Sequence, residues 1–175
     1  MRIPVLKTRL KKDTGLPELV CEKVYSLGWL DRISEAKDVM FMLSDLFGHG
    51  YETEEFCYLV CLNTRRKVLG VFEVSHGAVG LTCMNPREIL LKALAAGAVY
   101  IILTHNHPGG DVAPSGTDKS STIKLVEACN LIGVPLIDHI VISEANYHSM
   151  KENETISFNC EQTIKKVADY NQKGE

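Results

Sequence analysis

The run Val99-Tyr100-Ile101-Ile102-Leu103 leads without a break into Thr104-His105-Asn106-His107-Pro108-Gly109-Gly110, and an apolar period of helical spacing follows soon after. The first segment is rich in β-branched and aromatic residues and reads as a buried strand. The second is a Gly/Pro loop. In the third, Ile123, Val126 and Leu131, with Leu125, Ala128 and Ile132 beside them, predict a helix. Strand, loop and helix in this order are the unit of an α/β sheet. Ligand sites in such sheets gather beyond the carboxyl ends of the strands. With 175 residues, 45% hydrophobic and 23% charged, the chain suits one domain with a full core.

His105 and His107 are two apart, so strand geometry turns both imidazoles to the same side. Asp118 falls in the first turn of the following helix, where a carboxylate is favoured. Two histidines and one carboxylate make three protein ligands and leave a fourth position for water. That is the pattern of a catalytic zinc site rather than a closed structural one. Gly109, Gly110 and Gly116 are expected to ease the fold-back of the loop. Each fragment also has a plainer reading. Ser115-x-x-Asp118 is close to a helix capping box, and a lone His-x-His is commonly two unrelated histidines. Together, in a strand–loop–helix setting, they favour one Zn²⁺ per chain.

The bulk properties restrict the alternatives. A net charge of −3 argues against an electrostatic grip on nucleic acid or anionic membrane, although Arg65, Arg66 and Lys67 cluster locally. No segment approaches the ~18 consecutive apolar residues of a membrane span, and the first residues lack the apolar core of a secretory leader. The six cysteines (21, 57, 61, 83, 129 and 160) are scattered and mostly flanked by apolar residues, as in a reduced cytoplasmic protein.

In chain order, residues 1–15 read as an extended basic arm and 17–27 as a short helix. A helix starts after Ser34, with Ala36, Val39, Met40, Met42, Leu43 and Leu46 at helical spacing and Gly48 ending it. Residues 55–62 and 67–74 are two strands joined by a hairpin turn at 63–66. Residues 74–84 are expected to add a short strand, and His76 there is a candidate substrate contact. Asn85 caps a helix with Pro86 at its first position. The helix after the histidine loop ends at 130–133, residues 135–143 form the next strand, and 147–149 a last short one. Asp138 and His139 interrupt that strand's apolar pattern; they either orient a metal ligand from behind or satisfy each other and the backbone. Residues 161–170 read as a C-terminal helix that packs on the domain or on a partner chain.

His105-x-His107-Pro108, then Ser115-x-x-Asp118 after seven residues, resembles the JAMM (MPN-type) metal-binding signature. The wider sequence is similar to the RadC family. The matching residues are Asn85-Pro86-Arg87-Glu88-Ile89, the stretch Ile101 to Pro108, and Val134-Pro135-Leu136-Ile137-Asp138-His139-Ile140-Val141-Ile142. The resemblance covers roughly residues 34–150. It implies an α/β fold of three layers, a mixed β-sheet flanked by helices, MPN/JAMM-like and cytidine-deaminase-like. It divides the chain into an N-terminal arm and short helix (1–33), the RadC-like domain (34–150) and a C-terminal helix and tail (151–175). Only some thirty residues precede the domain, too few for the helix-hairpin-helix module that family members often carry.

The JAMM signature also includes an upstream glutamate on a strand, and Glu73 fits it, after Val71-Phe72 in an apolar run. The plainer reading is an edge residue facing water. The resemblance implies a zinc-dependent hydrolase of peptide or isopeptide bonds acting on a protein or peptide substrate. His105, His107 and Asp118 would hold the metal, Glu73 would act as general base, and Ser115 would donate to the oxyanion. Asp138 and His139 would support from behind. The alternative is a DNA-repair-associated accessory or nucleic-acid-binding protein with a structural metal site. No membrane partner is expected, and a homo-oligomer is compatible with the sequence.

Overall fold

The computed structural model of the chain describes residues 1–77 and 84–158. Among these, one mixed sheet carries seven strands: β1 (Arg2–Leu10), β2 (Pro17–Ser26), β3 (Glu55–Leu62), β4 (Val68–Gly77), β5 (Tyr100–Asn106), β6 (Leu136–Ile142) and β7 (Tyr147–Ser149). Their spatial order is β2-β1-β4-β3-β5-β6-β7. β1 runs parallel to β4 and β5 to β6, while the other neighbours are antiparallel. Three helices, α1 (Ala36–Phe47), α2 (Pro86–Ala95) and α3 (Gly116–Ile132), complete the described elements.

β3 is central and apolar on both faces, so its alternate residues feed two cores. Tyr58, Val60 and Leu62 meet Val39, Met42, Leu43 and Leu46 of α1 on one side. Cys57, Leu59 and Cys61 meet Ile89 and Ala93 of α2 and Leu125, Val126 and Cys129 of α3 on the other. The result is the expected three-layer α/β arrangement. Each fully buried Leu or Ile contributes ~1.5–3 kcal/mol by leaving water, and both cores contain several.

Local signals set most element ends. Gly48 and Gly133 close α1 and α3 in the left-handed conformation, at φ 70° and 81°. Asn85 accepts from the Arg87 amide at 3.0 Å, with Pro86 opening α2. The N-terminus differs from expectation. The arm is β1, and 17–27 is not a helix but β2, paired antiparallel with β1 from Arg2↔Ser26 to Leu10↔Pro17. Pro17 suits the first residue of either a helix or a strand; pairing with β1 decides for the strand. The segment before residue 34 thus adds two strands to the common sheet, and Ile3, Leu30 and Ile33 join the α1 core. Beyond β4, which extends to Gly77, the short strand expected at 74–84 falls largely on residues 78–83, outside the described residues. The C-terminal helix expected at 161–170 lies outside them as well.

α3 also departs from its apolar pattern. Ile123, Leu131 and Ile132 are exposed, while Asp118, Thr122, Leu125, Val126 and Cys129 are buried. The inward stripe begins with polar residues because the first turns of α3 face the histidines rather than a hydrophobic layer.

Candidate metal centre

β5 places alternate residues on opposite faces. Thr104 faces the α1 side, where its hydroxyl lies 3.4 Å from His49 Nε2. His105 faces the α2–α3 side, paired with Cys57 of β3 and Val141 of β6. His107 follows on the same side just past the strand, its amide bonded to the Ile142 carbonyl at 3.0 Å. The chain then turns back through Gly110, at φ 83°. Gly109 and Gly116 need no such freedom: neither takes a positive φ, and a Cβ on either would meet open space. Ser115 caps α3. Its hydroxyl accepts from the Asp118 amide at 3.1 Å and donates to Asp118 Oδ2 at 2.6 Å, while its own amide donates to the same oxygen at 2.8 Å. The capping box and the ligand position are therefore the same residues.

His105, His107 and Asp118 come together at one point, each offering an atom within 4.8 Å of the others. His105 Nε2 and His107 Nε2 are 3.1 Å apart. His105 Nε2 lies 3.5 Å from Asp118 Oδ1, and His107 Nε2 lies 3.7 Å from Asp118 Oδ2. A tetrahedral zinc ion with bonds of ~2.0–2.2 Å spaces its ligand atoms ~3.3–3.5 Å apart, so the donor set fits such an ion. The backbone agrees: His107 Nδ1 is 2.6 Å from the Asp111 carbonyl, which can only accept. Nδ1 therefore carries the proton, and Nε2 is free to turn a lone pair to the metal position. His105 is fully buried, whereas His107 and Asp118 keep 20% and 12% of their side-chain surface, so solvent reaches the centre from one side.

Burial pushes the Asp118 carboxyl upward, but the imidazoles of His105 and His107 beside it, together with Ser115, outweigh that and hold it well below the usual carboxylate range. Reciprocally, Asp118 raises His107 against the effect of burial, and the Asp111 carbonyl and the Glu55 charge add to the rise. The point favours a positive charge, whether proton or metal.

Glu73 is not brought to this group. It pairs with Tyr58, whose ring lies in the α1 core, so it belongs to the opposite face of the sheet. There it is half exposed and sits 2.9 Å from His76 Nδ1; His76 stacks on Phe56 and is raised mainly by its bond to Glu73. The physical reason is strand parity: Phe72 points into the α2–α3 core, so its neighbour cannot. Glu55 has the right parity. It opens β3 two residues before Cys57, is 6% exposed, and contributes the charge felt by His107. The Asn106 side chain fixes this end of β3, accepting from the Phe56 amide at 2.6 Å and donating to the Glu54 carbonyl at 2.9 Å.

The two residues expected behind the metal separate. His139 is fully buried, with Nε2 2.8 Å from His105 Nδ1 and Nδ1 2.6 Å from the Thr122 hydroxyl. Burial, reinforced by His105, lowers its proton affinity well below the ordinary value. Asp138 points the other way. It accepts from the Ser149 hydroxyl at 2.6 Å and from the amides of His139 and Lys151 at 2.8 and 3.1 Å. It clasps the turn after β7 and touches no candidate ligand; burial pushes its carboxyl up to about 6.

Sequence reasoning missed Glu55, Asn106 and Thr122. The signals were present: Glu55 shares parity with Cys57 and Leu59, and Thr122 stands one helical turn after Asp118.

Comparison with known proteins places most of the chain in one family. A UPF0758 protein of Alkaliphilus metalliredigens is 37% identical over 121 residues, 69% of this chain and 51% of the relative. One from Clostridium botulinum is 38% identical over 135 residues, 77% of this chain and 58% of the relative. The chain thus spans about half the length of the curated relatives it matches. The family model described as RadC-like JAB domain matches residues 33–155, from the approach to α1 through β7, and takes in the hairpin, the His-x-His strand end and the capping box. By that match the chain belongs to the RadC-like JAB domain family.

Proposed function

We propose that the protein is a zinc-dependent hydrolase of amide bonds in peptides or isopeptide-linked proteins, with the metal held by His105, His107 and Asp118. The observation that carries this reading is the convergence of two imidazole Nε2 atoms and a carboxylate at ligand spacing, on a rim that solvent reaches. A zinc ion held there would lower the pKa of its water toward ~7 and polarise a scissile carbonyl. Glu55, not Glu73, is the carboxylate whose face and burial suit a general base, which takes a proton from water and returns it to the leaving amine. Ser115 first orients Asp118, to which its proton is given; it can serve an oxyanion only by turning that proton toward substrate.

The experiment is cleavage of a peptide and isopeptide panel by the zinc-loaded chain, with chelation and zinc restoration. Chelator-sensitive, zinc-restored cleavage supports the reading. Stoichiometric zinc without cleavage by the wild type, on substrates that other hydrolases of this class accept, overturns it. We further propose protein or peptide substrates and, from the free cysteines Cys21, Cys57, Cys61 and Cys129, a reducing, cytoplasmic setting; self-association is compatible with this reading.

A second reading has one observation in its favour. At the hairpin end of β3, remote from the histidines, a cleft of about 370 Å³ is lined by Arg32, Ile33, Ser34, Thr64, Arg65 and Arg66. Such a cleft suits phosphate oxygens. A nucleic-acid role predicts salt-dependent DNA binding that Arg65→Ala and Arg66→Ala weaken; binding unaffected by both removes that role for the cleft.

A further inference from the structure

We propose that Thr122 and His139 are positioning residues that link the candidate ligands His105 and Asp118 through one directed circuit of hydrogen bonds. This rests on the metal reading above. The direction follows from counting protons. The Asp118 backbone carbonyl lies 2.6 Å from the Thr122 hydroxyl. A carbonyl carries no proton, and two oxygens this close repel without one, so the single hydroxyl proton lies there. Thr122 Oγ1 is also 2.6 Å from His139 Nδ1. With its own proton committed, the hydroxyl can only accept, and His139 is protonated at Nδ1.

A neutral imidazole has one N–H, so His139 Nε2 is an acceptor. Its partner at 2.8 Å is His105 Nδ1, which must donate. His105 then keeps its lone pair on Nε2, the atom facing His107 and Asp118. Asp111's carbonyl imposes the same choice on His107 through a single bond. Asp118 thus begins the circuit with its backbone and ends it with its carboxylate. One helical turn of α3 sets the height of Thr122, and β6 sets that of His139. Thr122, His139 and His105 are all fully buried, so water cannot replace a lost member.

Residues behind a metal ligand are typically worth ~10–100-fold in affinity. The test uses the full chain. Imidazole ¹⁵N resonances of the metal-free protein at alkaline pH report which nitrogen is protonated, and chelator competition gives the zinc Kd. The expected result is Nδ1–H at both His105 and His139. Thr122→Val should weaken zinc ~10–100-fold and mix the His105 tautomers, while Thr122→Ser, which restores a hydroxyl, stays within about three-fold. The losses from Thr122→Val and His139→Asn should not add when combined.

Nε2–H at His105 in the wild type, or a folded Thr122→Val with unchanged zinc affinity and ring signals, overturns the circuit. A wild type that takes up no zinc sinks the metal reading instead, and the ring protonation pattern still decides the circuit. Should Thr122→Val fail to fold, the wild-type resonances decide alone.

Discussion

Two buried histidine groups stand back to back across one strand. On the α1 face, His49 places Nδ1 3.1 Å from Glu52 and Nε2 3.4 Å from Thr104, with its ring edge-on to Tyr58. Both nitrogens are used by the protein's own groups; burial lowers its proton affinity despite Glu52. On the α2–α3 face, one residue further along β5, His105 has a partner behind it and another imidazole nitrogen in front. The difference separates a structural histidine from a candidate ligand. Burial alone marks neither. The candidate ligand has one nitrogen held by the fold while the other converges with a second imidazole and a carboxylate at spacing that suits a cation.

That contrast can be broken most sharply through the two glutamates, one on each face. Glu55→Gln should lower turnover of any cleaved amide substrate by ~10²–10⁴-fold, the range for loss of a general base, and Glu73→Gln should leave it within about two-fold. Equal losses, or a loss confined to Glu73→Gln, would assign the chemistry to the wrong face here.

The histidines themselves give the next largest effect. His107→Ala should weaken zinc by more than about 100-fold, beyond what a residue behind a ligand is worth. His49→Ala should leave zinc binding unaltered yet cost roughly 2–3 kcal/mol in urea unfolding, because it empties a filled site and strips Glu52 of its partner. If His49→Ala also releases the metal, the faces are not independent.

The smallest effect concerns Asp138, on the α1 face. Its carboxyl is raised to about 6 from the ordinary 3.8, so the folded chain holds that proton more tightly than the unfolded one. The stabilisation is full below the ordinary value and is lost as pH rises through about 6, of order 2–3 kcal/mol in total. Urea unfolding across this window should show that slope in the wild type and not in Asp138→Asn, with zinc affinity alike in both. A slope that persists in the variant assigns it to another group.

How much of this was legible depended on distance along the chain. Caps, the β3–β4 hairpin and the His-x-His end of β5 are written in neighbouring residues, and sequence places them well. His105, His107 and Asp118 were readable for the same reason: one strand end and one helix start hold them all. Glu73 was misplaced because the face a strand residue takes depends on register, and β3 and β4 shift register between Cys57 and Tyr58; Glu55, earlier on β3, was not weighed. β2 was misread because none of its residues is buried, and only pairing with β1 makes it a strand. The role of Thr122 was hidden by an apolar pattern on α3 whose members Ile123, Leu131 and Ile132 turn outward.

X-ray absorption at the zinc edge of the stoichiometrically loaded chain reads the centre directly. Nitrogen and oxygen ligands alone at ~2.0–2.2 Å, with the multiple scattering of two imidazoles, are the predicted result. A sulfur shell at ~2.3 Å, which would bring in a thiol such as Cys57, or a chain that holds no stoichiometric zinc, would contradict it.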